Sequence, residues 1–491
     1  MRFNSLAFLA FLPLFAAGYW LTSGRVRLWF MLIASLFFYA WWDWRFVFLL
    51  LFSSVVDFSL GIFLENEQDD RRRRRLISLS IAVNLGLLGF FKYFNFFVVS
   101  AVDLCRSLGL PASEKTLHII LPVGISFYVF KTMSYTIDVY RRTEKAERDL
   151  LRFTTFVVFF PELVAGPIVR ASRMLPQLQR DHRFRFEQMV SGLTLVASGY
   201  VRKVAIADSI APFVDICFAH PEAHNALSLL IGVYFYAFQI YCDFSGYSSI
   251  AIGLARIFGF DFGINFDRPY FSRSFSEFWT RWHISLSSWL RDYLYIPLGG
   301  NRGGRWATLR NLFITMLLGG LWHGASWTFV AWGALHGIYL VVQRLLAPAW
   351  NRVTRALRIP ALASNAFLVF LIFHLTCFAW IFFRASSFAN AWQVLSGIVS
   401  VHGPQLAGLE NRGRIAKCAL MVAILLVFEA MAFLPKQRKA VLATTEGEKV
   451  TVSAHPLEAS PALRLVFIAA CIWVVLIFGS FNGNNFIYFQ F

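Results

Sequence analysis

The chain has 491 residues, of which 57% are hydrophobic and only 15% are charged. In a soluble globular protein about a quarter of the residues are charged, so the composition excludes that class and predicts a multi-span membrane protein. The net charge of +18 would suggest nucleic acid in a soluble chain, but the basic residues here cluster in short loops between apolar runs. We therefore expect the lipid bilayer as a partner and no nucleic acid. The six cysteines form no CxxC motif and no Cys/His cluster, which predicts neither a disulfide framework nor a metal site.

Apolar runs follow one another along the chain, and each helical span needs about 20 such residues. The first run resembles a signal peptide, but more spans follow at once, so we favour a retained first span. The pattern predicts an all-α, polytopic membrane bundle of about ten to thirteen membrane segments. Residues 159–185 mix proline, glycine and arginine with apolar residues, which favours a re-entrant or interfacial structure. The clean runs are about 5–21, 28–42, 46–64, 76–101, 116–139, 189–218, 226–258, 308–346, 363–384, 388–400, 416–434 and 463–480.

Basic loops orient the N-terminal part of the chain. If the five arginines of 71–75 lie in the cytoplasm, the basic loops 23–27 and 141–149 lie there too. The N-terminus is then predicted to be periplasmic.

We predict a single integral-membrane domain over 1–491. It would consist of N-terminal spans (1–150), a core with re-entrant and amphipathic helices (151–346) and C-terminal spans (347–491). Residues 435–461 are polar and are predicted to be a soluble linker.

The stretch 278–293 in the centre of the chain predicts one amphipathic helix, capped by Ser276 and ended near Pro297. Its apolar face would be Phe278, Trp282, Leu286, Trp289 and Tyr293, and its polar stripes Arg281, Ser285, Ser288 and Asp292, and His283, Ser287 and Arg291. One interpretation is an interfacial helix with solvated charges. The other, which we favour, is a buried helix whose polar stripe lines a cavity.

Two neighbouring features are open to two interpretations each. The loop 298–306 has four glycines with Arg302 and Arg305, so it could cradle the phosphates of a nucleotide-type donor, although a positive-inside loop explains it more simply. Asp243 is a lone acid in an apolar run. It either pairs with an arginine of the central segment as a structural ion pair or takes part directly in catalysis.

Two histidines lie in the apolar run 308–346. His323 lies between glycines four residues apart in "GLWHG", and His336 lies in the similar "GALHG". Such glycines let another helix approach closely, so a histidine between them would face protein rather than lipid. If 315–340 form one straight helix, the two histidines are about 220° and about 20 Å apart and cannot share a pocket. Spacing alone does not choose between them.

Long motifs resemble the membrane-bound O-acyltransferase family, and more closely its bacterial polysaccharide branch. The hallmark stretches are "EFWTRWHISLSSWLRDYLYIPLGGNRGG" and "RNLFITMLLGGLWHGASWTFVAWGALHG". Further matching pieces are "FYAWW" (38–42), "GFFKYFNFF" (89–97), "LPVGISFYVFKTMSYTIDVYR" (121–141), "ELVAGPIVR" (162–170), "YCDFSGYSSIAIGL" (241–254), "IFFRA" (381–385) and "FIYFQF" (486–491).

The resemblance implies a helical bundle around a central tunnel that runs from the cytoplasm to the other face. It places the catalytic histidine of "LWHG" at His323 and the second polar position at His283, and it gives no role to His336. Residues expected to line or support the tunnel are Asp243, Ser287, Arg291, Asp292 and Trp322.

The activity implied is acetyl transfer from a cytoplasmic thioester, acetyl-CoA, with no bound cofactor. The acceptor implied is an extracytoplasmic polysaccharide, alginate-type first and peptidoglycan or cellulose next, with a periplasmic acetyltransferase as partner in the bacterial inner membrane. Alternatives are a lipid-directed or carrier-protein-dependent O-acyltransferase, or a transporter without covalent chemistry. A transporter would be expected to show inverted repeats with broken helices, and the sequence has no such sign.

Overall fold

The structure is a computed structural model that describes residues 1–113, 116–163, 166–400, 412–431, 440–443, 449–452 and 460–480. The predicted all-α character holds for this part of the chain apart from one hairpin. In it β1 (Ala440–Ala443) pairs antiparallel with β2 (Lys449–Val452), with Ala440 opposite Val452. The hairpin lies inside the predicted linker 435–461. The rest of that linker up to residue 459, and the motif 486–491, lie outside the described residues.

Two compact units divide the chain. The first is built from Met1–His182 and Phe262–Phe388, and the second from Arg183–Asp261 and the described residues after Phe388. The division into 1–150, 151–346 and 347–491 stays a prediction.

The first unit holds every site residue predicted above except Asp243. Its α-helices are α1 (Leu6–Leu21), α2 (Gly24–Ala40), α3 (Arg45–Asn66), α4 (Asp70–Leu88), α5 (Phe94–Ser107), α6 (Ile125–Tyr140), α7 (Leu150–Val158), α8 (Phe160–Leu163), α9 (Ala171–Leu178), α13 (Phe275–Arg281), α14 (Ile284–Leu290), α15 (Gly304–His323), α16 (Trp327–Ala356) and α17 (Ala361–Arg384). Shorter pieces are π-helical turns at Gly89–Tyr93 and Arg291–Tyr295 and a 3₁₀ turn at Pro269–Phe271.

The second unit packs around one long helix. Its elements are α10 (Phe186–Tyr200), a π-helical turn (Val201–Ala207), α11 (Asp208–Ala219), a 3₁₀ turn (Pro221–Ala223), α12 (Ala226–Ile257), α18 (Phe388–Val399), α19 (Arg412–Met431), the β1–β2 hairpin and α20 (Pro461–Phe478). Helix α12 packs along α10 and α11, and α20 packs on α10.

Among the described residues, six helices are long and apolar enough to cross a membrane. They are Arg45–Asn66, Asp70–Ser107, Ala226–Ile257, Trp327–Ala356, Ala361–Arg384 and Pro461–Phe478. Large apolar side chains lie exposed on their outer faces, such as Val466 and Trp473 of α20. These surfaces suit hydrocarbon, so the protein is a multi-pass membrane protein.

The segment 159–185 forms no span-length helix in its described part. It contains only the short helices α8 and α9, and Phe159 and Phe160 are fully buried. Irregular backbone at membrane depth is tolerated where protein surrounds it, which explains the high content of proline and glycine here.

A buried polar network ties α3 and α4 together. The carboxylate of Asp57 on α3 accepts hydrogen bonds from Ser80 Oγ (2.6 Å) and Asn84 Nδ2 (2.8 Å) of α4. Ser80 also meets Thr136 of α6 at 2.9 Å. An acid at membrane depth needs such partners, and here they fix the helix that leads into the Gly89–Tyr93 turn.

Candidate active site

The "LWHG" motif closes the C-terminal end of α15. His323 is the last residue of the helix, Gly324 is extended (φ −161°, ψ 152°) and α16 begins at Trp327 after the N-cap Ser326. The single straight helix over 315–340 is therefore wrong, because the chain turns back on itself. His323 and His336 lie on two different helices, so the rise of one helix does not set the distance between them.

Glycines allow the two helices of this hairpin to touch. A Cβ on Gly320 would lie 2.8 Å from the Cα of Gly333, closer than real Cβ atoms come. The predicted close helix approach is confirmed, and each glycine motif supplies the partner of the other.

His323 is buried in an aromatic shell, with 3% of its surface exposed. Its ring lies 5.0 Å from Trp322, 5.0 Å from Trp332 and 5.3 Å from Phe383, measured between centroids. The three contacts are edge-to-face. The imidazole is thus shielded from lipid, as the glycine pattern predicted.

His283 lies at a break that the predicted helix 278–293 did not include. Helix α13 ends at Arg281, α14 begins at Ile284, and His283 between them has φ 43°. A non-glycine residue in this left-handed region is strained by about 1–3 kcal/mol, and such strain clusters at functional sites. The continuous helix is wrong, although all five residues of its predicted apolar face are buried.

The break also changes the predicted caps and stripes. Ser274, not Ser276, caps α13 by accepting from the backbone N–H of Glu277 (3.0 Å). Since His283 is fully buried and the Arg291 side chain is 63% exposed, the two do not share one stripe. The Ser287 hydroxyl donates to the carbonyl of Trp282 at 3.0 Å.

Asn265, a residue that the sequence interpretation missed, holds His283. Its Oδ1 lies 3.3 Å from His283 Nδ1 and accepts from the backbone N–H (3.1 Å) and hydroxyl (2.9 Å) of Ser285. An amide oxygen only accepts, so this contact places the proton of a neutral imidazole on Nδ1. The sequence signal that could have found it is an asparagine among aromatic residues, between Phe262 and Phe266.

Trp322 joins the two histidines. Its ring centroid lies 6.3 Å from His283 and 5.0 Å from His323. Phe127 of α6 contacts both Trp322 (5.8 Å) and His283 (6.5 Å). The structure therefore brings His283, Trp322 and His323 into one buried cluster.

His336 lies near the same cluster but has different surroundings. Its ring is 4.8 Å from Trp332, which also contacts His323, and it stacks on Phe278 at 6.0 Å. Neither ring nitrogen has a hydrogen-bond partner among the described residues.

Asp292 and Arg291 belong to an ion-pair network at the π-helical turn. Asp292 accepts from Arg291 at 2.7 Å and from Arg170 of the "ELVAGPIVR" motif. Arg141 donates to the carbonyl of Asp292 at 3.1 Å. Burial acts to raise the pKa of Asp292, but the hydrogen bonds from Arg291 and Arg170 outweigh it and lower that pKa below its usual value.

Asp243 lies in the second unit, on α12. Its carboxylate is 2.6 Å from the ammonium of Lys203, which also pairs with Asp208 at 2.7 Å. The sequence left open a structural ion pair with an arginine of the central segment and a direct role in catalysis, and it did not name Lys203 as a partner. A catalytic role for Asp243 stays a prediction.

The basic loop and a cavity lie near each other in the first unit. Arg302 and Arg305 are exposed at the start of α15, and Asn301 of the same loop is 3.5 Å from Arg344 of α16. A cavity of about 620 Å³ lies along α16 on both sides of Arg344. Its lining includes Leu340, Gln343, Arg344, Asn351, Arg352 and Arg355.

Comparison with known proteins agrees with the motifs. A family model described as MBOAT, membrane-bound O-acyltransferase family, matches residues 144–385. The chain is 41% identical to the probable alginate O-acetylase AlgI of Azotobacter vinelandii, covering 100% of both chains. It is 42% identical to the probable alginate O-acetylase AlgI of Pseudomonas aeruginosa, covering 94% of this chain and 88% of that one. It is 36% identical to the peptidoglycan O-acetyltransferase of Helicobacter pylori, covering 84% and 82%.

The family model and the relatives show that this multi-pass helical membrane protein is an O-acyltransferase. The chain belongs to the membrane-bound O-acyltransferase family, as its motifs indicate.

Proposed function

We propose that the protein moves an acetyl group from cytoplasmic acetyl-CoA across the bacterial inner membrane, for O-acetylation of an extracytoplasmic polysaccharide. The observation that carries the proposal is the buried His283–Trp322–His323 cluster at the end of α15. A histidine at membrane depth is costly unless it is used or compensated, and here two meet at one tryptophan.

His323 acts as the general base. Its imidazole takes the proton of the acceptor hydroxyl while the hydroxyl oxygen attacks the thioester carbonyl carbon. The C–O bond forms, the C–S bond breaks, and the imidazolium returns the proton to the leaving thiolate. Positioned proton transfer of this kind is worth about 10²–10⁴-fold in rate.

His283 relays the proton or orients the thioester. Its contact with Asn265 favours a proton on Nδ1, so the Nε2 of a neutral ring accepts rather than donates. Acceptance suits a relay better than polarisation of the thioester carbonyl.

The donor's phosphates are held at the cytoplasmic end of α16. Arg344, Arg352 and Arg355 all line the 620 Å³ cavity, where Arg344 lies 3.5 Å from Asn301 and Arg355 donates from Nε to the carbonyl of Asn351. Guanidinium groups bind phosphate in a fork geometry. Leu340, which lines the cavity, is eight residues beyond Trp332, about 12 Å along the helix. Arg302 and Arg305 extend the basic surface, and Trp322, Ser287, Arg291 and Asp292 support the tunnel.

The acceptor side is assigned by similarity. Relatives named as alginate O-acetylases cover the chain end to end, so an alginate-type exopolysaccharide is the first choice, then peptidoglycan or cellulose. A periplasmic acetyltransferase would complete the transfer. The proposal includes a tunnel through a bundle of about ten to thirteen membrane segments, with a periplasmic N-terminus.

The test is His323→Ala in membrane vesicles supplied with labelled acetyl-CoA on the cytoplasmic face, with label counted in the polysaccharide fraction. We expect transfer to fall by about 10²–10⁴-fold. His118→Ala, which removes an exposed histidine outside the site, is the matched control. Transfer at the wild-type rate by His323→Ala would contradict the proposal. If label is incorporated only from an acylated carrier protein, the donor is that carrier and not acetyl-CoA. If label enters only lipid, the acceptor is a lipid and not a polysaccharide.

A further inference from the structure

Two adjacent side chains from a distant segment, Lys92 and Tyr93, hydrogen-bond to the backbone at the end of α15, and we call these contacts the grip. Tyr93 donates from its hydroxyl to the carbonyl of Leu321 at 2.9 Å. Lys92 donates from Nζ to the carbonyls of Trp322 (2.7 Å) and His323 (3.0 Å). Both residues lie in the π-helical turn Gly89–Tyr93, a kind of turn that is frequent at functional sites.

These contacts satisfy groups that the helix cannot satisfy itself. The last four carbonyls of an α-helix lack intrahelical partners, and in α15 they belong to Gly320, Leu321, Trp322 and His323. Because Gly324 is extended, the chain does not form the left-handed turn that often caps a helix. Lys92 and Tyr93 take three of the four carbonyls, and the ammonium faces the negative end of the helix dipole.

The grip differs from an ordinary helix cap because the backbone that it holds belongs to residues of the histidine cluster. It holds the backbone of His323 itself and of Trp322, whose ring contacts His283. The Lys92 ammonium also lies 5.8 Å from the Trp322 ring centroid. A displacement of about 1 Å at a reacting group can cost about 10²-fold in rate, and these hydrogen bonds lie where they fix the backbone of His323.

The grip is itself anchored. Asn84 lies eight residues before Lys92, about two helical turns. Its amide donates to the buried carboxylate of Asp57 at 2.8 Å. The α3–α4 network therefore fixes the helix that carries the two residues.

We propose that Lys92 and Tyr93 are positioning residues that hold the imidazole of His323 in place for acyl transfer. The inference rests on the proposed function, because it assigns His323 as the base. Neither residue touches the reacting atoms in this scheme; both act through the backbone of α15.

The variants are Lys92→Met, Lys92→Arg and Tyr93→Phe, compared with wild type in the labelled acetyl-CoA assay. We expect Lys92→Met to lower kcat by roughly 10–100-fold with little change in KM for acetyl-CoA. Tyr93→Phe removes a single hydroxyl and should lower kcat by roughly 3–10-fold. Arginine at position 92 keeps two donors and should recover most of the loss.

Two control variants remove the same kind of contact elsewhere. Lys417 donates to the carbonyl of Phe478 at the end of α20 (2.9 Å), and its ammonium lies 5.8 Å from that ring. Tyr39 donates from its hydroxyl to the carbonyl of Val123 at 3.0 Å. Lys417→Met should lower the melting temperature as much as Lys92→Met does, and Tyr39→Phe as much as Tyr93→Phe does. Both controls should leave kcat of the folded enzyme within about twofold of the wild-type value.

A double substitution separates positioning from folding. If Lys92 acts through His323, adding Lys92→Met to His323→Ala should cause no further loss of rate.

The inference is overturned if Lys92→Met has the kcat of Lys417→Met, or if arginine at position 92 restores no more of the kcat than methionine does. If Lys92→Met does not fold, a kcat for Tyr93→Phe equal to that of Tyr39→Phe overturns it instead. An active His323→Ala would defeat the proposed function, and this inference with it. An inactive His323→Ala beside a fully active Lys92→Met would defeat this inference alone.

Discussion

Gly320 of α15 and Gly333 of α16 lie against each other where the two helices cross, and a Cβ on Gly333 would come within 3.0 Å of the Cα of Gly320. We expect Gly333→Ala to force the helices apart, since overpacking costs about 1–3 kcal/mol. The variant should melt at a lower temperature in detergent and lose acetyl transfer, because His323 ends the displaced helix.

Gly86→Ala is the matched control. A Cβ on Gly86 meets nothing within 4 Å, and the residue lies inside α4. Alanine is favoured over glycine in a helix by about 0.5–1 kcal/mol, so this variant should melt at the same temperature or higher. Equal melting temperatures and equal acetyl transfer for Gly333→Ala and Gly86→Ala would contradict the close contact of Gly320 with Gly333.

His336→Phe should leave acetyl transfer within about threefold of wild type and leave stability unchanged or higher. The phenyl ring keeps the packing on Trp332 and Phe278, and it removes two buried nitrogens that lack partners among the described residues. Leaving such a group unsatisfied costs about 1–3 kcal/mol. His323→Phe, tested beside it, should be inactive. A hundredfold loss for His336→Phe with an unchanged melting temperature would show that His323 is not the sole base.

Asn265→Leu should lower kcat by roughly 10–100-fold, because His283 loses the partner of its Nδ1 and Ser285 loses two hydrogen bonds. Single-turnover rates with labelled acetyl-CoA would measure the effect on chemistry. Asn95→Ala, which removes an asparagine whose side chain bonds to the backbone of Leu117, is the control. An unchanged kcat for Asn265→Leu would show that the contact with Asn265 does not position His283 for the reaction.

The protein should lose stability in acid as the carboxylate of Asp292 becomes protonated. Its pKa is lowered in the folded protein from the usual 3.8, since the hydrogen bonds from Arg291 and Arg170 outweigh burial. The ion pairs therefore contribute stability above about pH 4 and lose it as pH falls through the folded pKa. Asp292→Asn should lower the melting temperature at pH 7, by an effect of about 1 kcal/mol or less, and the difference should shrink at an acid pH that approaches the folded pKa.

The exposed pair of Asp103 with Arg106 provides the comparison, because Asp103→Asn should change the melting temperature little at either pH. A melting-temperature difference for Asp292→Asn that persists unchanged into acid would mean that the side chain acts by packing instead of by charge.

Arg352→Gln combined with Arg355→Gln should raise KM for acetyl-CoA roughly tenfold with kcat unchanged, because two phosphate-binding forks are lost. The wild-type KM should also rise with salt, and the variant's KM should rise less. Initial rates over a range of acetyl-CoA and salt concentrations would test both. Arg106→Gln, an exposed arginine outside the cavity, should match wild type. An unchanged KM in the double variant would exclude the cavity as the donor site.

The amino-acid sequence by itself determined the membrane class, most of the helices and the family. Apolar periodicity is local, so runs such as 46–64 and 226–258 appear as α3 and α12 with small shifts. The long motif around His323 carried the family. The buried apolar face of 278–293 was also predictable, because burial follows side-chain spacing.

Only the tertiary structure decided how the site is assembled. At the break after His323, the ring of Phe329 from the second helix lies so close to Gly324 that a Cβ there would collide with it. The grip on His323 comes from Lys92, 231 positions earlier in the chain, and the partner of His283 comes from Asn265, 18 positions earlier. Local periodicity records which face of a segment is buried. It does not record which distant segment covers that face, because that choice depends on the packing of the whole unit.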